Sequence, residues 1–182
     1  MNDPNACDAR CMTDRLTVMI RRYHAGDHEA VIGLSSRLTI GVAGWRDSAK
    51  VAKAVRNWVQ DSLASAHQEN HAVFVAEVGR RVVGIVTLGE RGHFTGETDG
   101  YIGELITAED HEGKGVGTAL LDAAEEWTRR RGHTFVTLET GAHNAHALSF
   151  YRLRGYVDED VRLTKNVDSP QSERQVSGRA GS

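Results

Sequence analysis

Residues 112–117 read Glu-Gly-Lys-Gly-Val-Gly and lie between an apolar segment at 101–107 and an amphipathic segment at 118–131. The first segment has the pattern of a strand, and the second has the apolar stripe of a helix. Three glycines allow a tight turn whose N–H groups converge on an anion, and the positive end of the helix dipole adds to that attraction. A turn that needs glycine only for close packing explains this loop alone equally well.

Two common phosphate-binding motifs do not fit this loop. A P-loop requires Ser or Thr directly after Gly-Lys, but Lys114 is followed by Gly115. A dinucleotide-binding fingerprint requires the spacing G-x-G-x-x-G, and the third glycine is missing whether the motif starts at Gly113 or at Gly115. Both motifs are therefore excluded here.

Composition sets the broad class of the protein. The chain has 182 residues, 40% of them hydrophobic, and a net charge of -3. These values predict one domain at 15–165, with polar, disordered segments at 1–14 and 166–182. No apolar run is long enough for a membrane helix, and residues 1–10 lack the core of a signal peptide. The two cysteines, Cys7 and Cys11, do not form a disulfide framework, and Met12 is an alternative start. We expect a cytoplasmic protein that binds neither membrane nor nucleic acid.

Hydrophobic periodicity predicts an alternation of strands and helices. Asp27 is expected to cap a helix that carries Val31, Leu34 and Leu38 on one face, and Asp47 or Ser48 to begin the next helix. The full predicted order is a strand at 16–22, two helices, a hairpin at 72–88, a polar stretch at 89–100, a strand at 101–107, a helix at 118–131, a strand at 134–140, a helix at 144–154 and an extended segment at 156–164. This order predicts a mixed α/β sheet.

A second motif follows the predicted strand at 134–140. Asn144, Ala147, Phe150 and Tyr151 have the spacing N-x-x-A-x-x-F-Y, with Gly155-Tyr156 after them. Together with the loop at 112–117 and the strand at 103–107, this pattern resembles the Gcn5-related N-acetyltransferase (GNAT) family over roughly residues 16–165. The resemblance implies an α/β (α+β) fold with a mixed, mostly antiparallel sheet of six to seven strands. That sheet would be splayed between strands four and five and flanked by about four helices.

The resemblance also implies that the chain binds acetyl-CoA. Glu112 stands where the family has Arg or Gln, so we expect its side chain to point to solvent while backbone amides bind the diphosphate. Asn144 can contact the coenzyme, cap its helix, or do both. The coenzyme-binding residues implied by the resemblance are Leu105, Ile106, Thr107, Glu112, Gly113, Lys114, Gly115, Val116, Gly117, Thr118, Asn144, Ala147 and Phe150.

Two residues are candidates for proton transfer. An amine acceptor must lose a proton before it attacks the thioester, and Glu104 is the carboxylate closest in sequence to the implied acetyl site. A cross-strand partner for a basic residue is the alternative role of Glu104. Tyr151 matches the general acid of the family, and a half-buried core tyrosine is its alternative role. Because no cysteine lies in the predicted domain, we expect direct attack through a tetrahedral intermediate.

The acceptor is the least defined part of the prediction. Carboxylates near the implied site suggest a small cationic amine, such as a polyamine, an aminoglycoside-like sugar or an amino acid derivative. A protein or peptide acceptor (an N-terminus or a lysine) and a non-catalytic acyl-CoA sensor are the alternatives. The histidine pairs are poorly placed for zinc, so no metal is expected, and the resemblance allows a homodimer. The candidate acceptor-binding residues are Trp45, His93, Glu97, Asp99 and Glu139.

Overall fold

The computed structural model describes residues 17–167, so the predicted disordered segment at 1–14 and most of that at 166–182 lie outside the described residues. Within this range the chain forms five strands and four α-helices. The strands are β1 (Met19–Arg22), β2 (Ala72–Val78), β3 (Arg81–Gly92), β4 (Thr98–Thr107) and β5 (Val136–Leu138). The helices are α1 (His28–Leu34), α2 (Ser48–Ala64), α3 (Val116–Arg130) and α4 (Ala145–Leu153).

The strands form one mixed sheet in the order β1-β2-β3-β4-β5. The first three pairs are antiparallel, whereas β4 and β5 are parallel and pair only from Gly100–Val136 to Ile102–Leu138. From Gly103 to Thr107, β4 continues without a strand partner on its β5 side in the described chain. The predicted mixed, mostly antiparallel sheet that opens between the fourth and fifth strands is thus confirmed.

The prediction of six to seven strands is wrong for the described residues, because the segment at 156–164 does not join the sheet. Apolar and charged residues alternate in it as in a strand, but Val157 and Leu163 are 86% and 89% exposed. Side-chain pairs link the segment to the body instead: Glu159 lies 3.5 Å from His93, and Arg162 lies 3.7 Å from Glu139.

The two faces of the sheet carry separate apolar cores. On one face, Ile102 of β4 packs with Val116, Leu120 and Leu121 of α3. On the other face, Ile106 of β4 packs with residues of α1 and α2 such as Val31 and Val59. We call these the α3 face and the α2 face. Each face excludes water from one side of β4, so the position of a β4 side chain decides which helices surround it.

The predicted capping side chain is correct for α2 but not for α1. Asp47 caps α2 as predicted, its carboxylate accepting a hydrogen bond from the Lys50 N–H at 2.8 Å. Asp27 occupies the N-cap position of α1 as predicted, but its side chain makes no capping hydrogen bond there. It accepts instead from the Arg21 guanidinium at 2.7 and 2.8 Å and from the His24 N–H at 3.0 Å. The helix ends at Leu34, which leaves Leu38 in a 3-10 turn, Ser35–Thr39.

Two strand lengths also differ from the prediction. The stretch at 89–100, predicted as a polar connection, extends β3 and β4 into a hairpin in which Glu90 pairs with Gly100 and Gly92 with Thr98. The strand predicted at 134–140 is reduced to β5. Across residues 17–167 we find no helix with the length and apolar character needed to cross a membrane.

Candidate active site

A β-bulge lies in the middle of β4. Val86 of β3 pairs with Leu105, and Leu88 pairs with Ile102. The one residue between these β3 positions, Thr87, therefore faces two residues of β4, Gly103 and Glu104. Gly103 is exposed at this bulge although its neighbours Ile102 and Glu104 are buried. A Cβ atom at Gly103 would lie 2.9 Å from the Thr87 hydroxyl oxygen, so glycine allows the close approach of the two strands. The bulge therefore exposes the β4 backbone where the sheet opens.

Glu104 is the buried carboxylate beside this opening, with 7% of its surface exposed. It accepts a hydrogen bond from the Ser62 hydroxyl of α2 at 2.9 Å and a second from the Thr87 hydroxyl. The same Thr87 oxygen accepts from the Glu104 N–H at 2.9 Å. Burial raises the pKa of Glu104, and the two hydroxyl donors partly oppose that rise. Among residues 17–167 the side-chain partners of Glu104 are thus hydroxyl groups and no basic side chain pairs with it, so the alternative of a basic cross-strand partner is wrong there.

Sequence reasoning missed Ser62 and Thr87. Both carried a signal, since each is a polar residue within an apolar pattern. Thr87 interrupts the run Val83–Leu88 of β3, and Ser62 lies next to Leu63 near the buried stripe of α2. A buried hydroxyl needs a hydrogen-bond partner, so such positions point to a buried polar neighbour.

Backbone groups of β4 are available on the open side of the sheet. The Ala108 N–H donates to the Val83 carbonyl at 2.8 Å, toward β3. Because backbone groups alternate along a strand, those of Ile106 also point to β3, whereas those of Leu105 and Thr107 point to the unpaired edge. The Ile106 side chain is buried on the α2 face. Leu105 and Thr107 are therefore the two implied coenzyme contacts that present backbone groups to the opening.

The glycine loop has the predicted turn geometry. Gly113 and Gly115 have φ values of 69° and 84°, which lie in the left-handed region that glycine adopts without strain. Gly115 is the N-cap of α3, and no side chain of residues 17–167 caps that helix end. Val116 is fully buried and anchors the first turn, while Lys114 is exposed. The N–H groups of Val116, Gly117 and Thr118 begin the helix, as an anion-binding helix end requires.

Glu112 does not point freely to solvent as expected. Its carboxylate accepts a hydrogen bond from the Arg37 guanidinium, which reaches it from the 3-10 turn after α1. A second nitrogen of Arg37 lies 3.7 Å from the Glu109 carboxylate. The acidic residue in the loop is thus paired with a cation that is 75 positions away in the sequence.

Helix α4 brings the second motif next to the glycine loop. A Cβ atom at Gly117 would contact both the Phe150 ring and the Thr107 hydroxyl oxygen at 3.6 Å, so α3, α4 and the end of β4 meet there. Asn144 caps α4, its side chain accepting from the Ala147 N–H at 3.2 Å. The capping role predicted for Asn144 is confirmed.

Tyr151 lies among aromatic side chains at the edge of the α3 face. Its ring centroid is 5.3 Å from that of Phe150 and 5.6 Å from that of Tyr156. Burial raises the pKa of Tyr151 to about 12, so the phenol is protonated at neutral pH. Glu104 and Tyr151 therefore lie on opposite faces of the sheet, with the opening between β4 and β5 beside both.

The connection between α1 and α2 contacts the loop that precedes α4. A Cβ atom at Gly141 would lie 2.3 Å from the Gly41 carbonyl oxygen, which shows how closely the two backbones approach. Trp45 makes an edge-on contact with His143, with ring centroids 6.2 Å apart, and is otherwise 65% exposed. Trp45 therefore lies at the junction of these two loops.

The other predicted acceptor residues fall into two groups. His93 and Glu97 lie at the tip of the β3–β4 hairpin, where the His93 N–H donates to the Glu97 carbonyl at 2.8 Å. Asp99 is buried on β4, opposite Arg91 in register. Glu139 accepts a hydrogen bond from Arg91 at 2.8 Å. The structure thus groups Asp99 and Glu139 around Arg91, and His93 with Glu97.

Tyr101 was not singled out from the sequence, but it lies within the Arg91 group. The Arg91 guanidinium lies over its ring, 4.9 Å from the centroid. Burial raises the pKa of Tyr101, and the negative charges of Glu139 and Glu104 raise it further. Tyr101 therefore links the Arg91–Glu139 pair to the side of the sheet that holds Glu104.

Comparisons with known proteins agree with this architecture. A putative acetyl transferase from Pyrococcus furiosus superposes with a TM-score of 0.68 at 24% identity, covering 83% of this chain and 100% of that one. PaiA N-acetyltransferase from Thermoplasma acidophilum, solved with coenzyme A, gives a TM-score of 0.66 at 18% identity, over 80% and 93% of the two chains. At these identities the likeness shows the fold.

Sequence comparison identifies the family. An uncharacterized N-acetyltransferase of Methanocaldococcus jannaschii is 30% identical over 107 residues, which are 55% of this chain and 47% of that protein. The chain thus spans about half the length of this curated relative. The model of the acetyltransferase (GNAT) family matches residues 41–156, which include the β4 bulge, the glycine loop and α4. The chain therefore belongs to the acetyltransferase (GNAT) family.

Proposed function

We propose that the protein transfers an acetyl group from acetyl-CoA to the primary amine of a small cationic acceptor, by direct attack. The observation that carries this proposal is the exposed β4 bulge between two proton-transfer candidates. Glu104 is buried on the α2 face, and Tyr151 lies at the edge of the α3 face. A base on one side of a reacting thioester and an acid on the other are what an amine attack with loss of a thiolate requires.

The open end of β4 and the start of α3 suit the coenzyme. Leu105 and Thr107 would bind the pantetheine arm through backbone groups, as a neighbouring strand would. Within the described part of the chain, no side chain caps the first turn of α3 and nothing lies within 4 Å of a Cβ built at Gly113 or Gly115, which leaves room for a diphosphate at the backbone N–H groups. The coenzyme would supply the activated acetyl thioester. The coenzyme-bound structural neighbour from Thermoplasma acidophilum supports this assignment.

Glu104 would act as the general base. An aliphatic ammonium has a pKa near about 10 and must lose its proton before the nitrogen attacks. The raised pKa of Glu104 makes it a stronger base than an exposed carboxylate, while the hydroxyls of Ser62 and Thr87 fix its orientation. The proton moves from the ammonium to Glu104, directly or through one water. The nitrogen then forms its bond to the acetyl carbon.

Tyr151 would act as the general acid. The C–S bond of the thioester breaks as the amide forms, and the departing thiolate has a pKa near about 8.5. With its pKa raised to about 12, Tyr151 holds its proton at neutral pH and donates it to the sulfur as negative charge develops there. As the amide forms, the nitrogen loses its second proton to solvent, and solvent returns one proton to the phenol. The products are the acetylated amine and the free thiol of coenzyme A, and Glu104 releases its proton to solvent.

The charges on the acceptor side favour a small cation. Buried Asp99 and Glu104 lie on the same strand as Tyr101, and Glu139 lies beside them. Glu139 is balanced by Arg91 and Arg162, which leaves the buried carboxylates to attract an ammonium group. A peptide N-terminus or a lysine side chain carries the same charge and is the alternative acceptor. A sensor that binds acyl-CoA without turnover is the alternative without catalysis.

The decisive experiment measures thiol release from acetyl-CoA with a panel of amines. The panel should contain polyamines, aminoglycosides, amino acid derivatives, and peptides with free N-termini or lysines. Thiol release with a small amine supports the proposal, and release only with peptides favours the alternative acceptor. Coenzyme A binding by calorimetry without thiol release on any amine favours the sensor. Absence of coenzyme A binding would overturn the assignment altogether.

A further inference from the structure

Arg37 and Glu112 form an ion pair at the start of the glycine loop. Glu112 occupies the position where the resembling pattern has Arg or Gln, and Arg37 comes from the 3-10 turn Ser35–Thr39. The Arg37 side chain is 23% exposed, so most of it is held by its surroundings, whereas Glu109 is 86% exposed. The guanidinium thus lies at the start of the glycine loop, with Glu112 as its hydrogen-bonded acidic partner.

The charges of Arg37 and Glu112 both affect how an anion would bind at the glycine loop. A carboxylate at position 112 would repel a diphosphate bound to the following glycines. A guanidinium has five N–H donors in a planar fork, so it can hold one carboxylate oxygen and still present donors to a phosphate. Arg37 donates to Glu112 through a single nitrogen, Nη2, and its Nη1 lies 3.7 Å from Glu109. The planar group is therefore oriented by Glu112 rather than used up by it.

We propose that Arg37 binds the diphosphate of the coenzyme, with Glu112 as the residue that positions it. The cation expected within the glycine loop is thus supplied by the α1–α2 connection. This inference rests on the proposed function, since it assigns a further residue to the coenzyme site of that function. The acidic residue Glu112 then serves to orient the guanidinium that supplies positive charge to the diphosphate.

Calorimetric titration with coenzyme A tests the role of Arg37 without knowledge of the acceptor. Arg37→Ala should weaken binding at least tenfold, because a charged hydrogen bond to the ligand is lost. Arg130→Ala is the matched control. Arg130 pairs with Glu126 at 2.7 Å at the C-terminal end of α3, away from the glycine loop, and its loss changes the net charge equally. We expect the control to change the affinity less than threefold.

A double variant separates ligand binding from a merely structural role. In Arg37→Ala/Glu112→Arg the original pair cannot form, but a guanidinium returns to the loop. Recovery of most of the wild-type affinity supports the proposal. A double variant as weak as Arg37→Ala, or an Arg37→Ala variant that binds like the wild type, would overturn it while wild-type binding upholds the coenzyme site. If the wild type itself gives no heat with coenzyme A, the proposed function and this inference both fail.

Discussion

Replacement of Glu104 by Gln tests the proposed base with little change in shape. A general base contributes about 10²- to 10⁴-fold to a rate, which corresponds to about 3–5 kcal/mol of barrier. Glu104 is 7% exposed, and two hydroxyls orient its carboxylate. Bulk water therefore does not easily take over its role as the base. We expect kcat to fall at least about 100-fold at neutral pH. The affinity for coenzyme A should be unchanged, because Glu104 faces α2 and not the glycine loop.

The same variant has a predicted effect on stability. Burial raises the pKa of Glu104, so the folded state favours the protonated carboxyl more than the unfolded chain does. That contribution to stability is complete below the ordinary pKa of about 4.3 and is lost as pH rises through the raised value. At neutral pH the wild type therefore carries the cost of a buried charge. Glu104→Gln should keep or raise the Tm at pH 7, which distinguishes loss of catalysis from loss of fold.

The assay is the pH dependence of kcat/KM, with thiol release as the readout. The wild-type rate should rise with pH through the raised pKa of Glu104, and this inflection should be absent in Glu104→Gln. Thr87→Val removes a donor that lowers the pKa, so its inflection should move to higher pH. Thr87→Ser keeps a hydroxyl and is the matched control. A Glu104→Gln enzyme within threefold of the wild type across this profile would refute the reasoning.

Three further predictions concern other parts of the site. Tyr151→Phe should lower kcat at least about tenfold at unchanged affinity for coenzyme A, and an unchanged kcat would remove Tyr151 from the mechanism. Asn144→Ala should lower the free energy of unfolding by about 1 kcal/mol in urea titrations, whereas Asn144→Asp keeps a capping oxygen; equal losses would contradict the cap. Gly41→Ala should cost roughly 1–2 kcal/mol, since Gly41 has a φ of 80° and a Cβ there would lie 2.4 Å from the Asn144 Cβ. Gly44→Ala, with nothing within 4 Å, should change the Tm little, and equal shifts would argue against the contact.

Local signals in the sequence predicted those features that depend on neighbouring residues. Asp47 as the cap of α2, the hairpin at 72–88 and the tight turn at Gly113 and Gly115 all follow from side-chain or backbone chemistry within a few positions. The family pattern added the fold class and the opening between the fourth and fifth strands. Both were expectations that the resemblance implied, and the motifs that carry the resemblance each lie within a single turn, strand or helix.

Features set by distant residues could not be predicted in this way. Asp27 has the spacing of a helix cap, but Arg21 from β1 binds its carboxylate more strongly than a backbone N–H would. The polar ends of β3 and β4 lack an apolar pattern, yet they pair because the hairpin continues beyond the core. Arg37 and Glu112 are 75 residues apart, and no local pattern relates them.

The bulge in β4 explains why Glu104, the proposed base, lies on the face of the sheet opposite to Tyr151, the proposed acid. Side chains of a regular strand alternate, so residues 102, 104 and 106 would share one face. In β4, Ile102 instead packs on the α3 face, while Ile106 packs on the α2 face and Glu104 bonds to Ser62 of α2. The extra residue at the bulge moves the following side chains of β4 to the opposite face of the sheet. At the bulge the Glu104 N–H donates to the Thr87 hydroxyl oxygen. Without the bulge, Glu104 would lie against α3, on the same face as Tyr151, and the proposed base and acid would no longer flank the opening from opposite faces of the sheet.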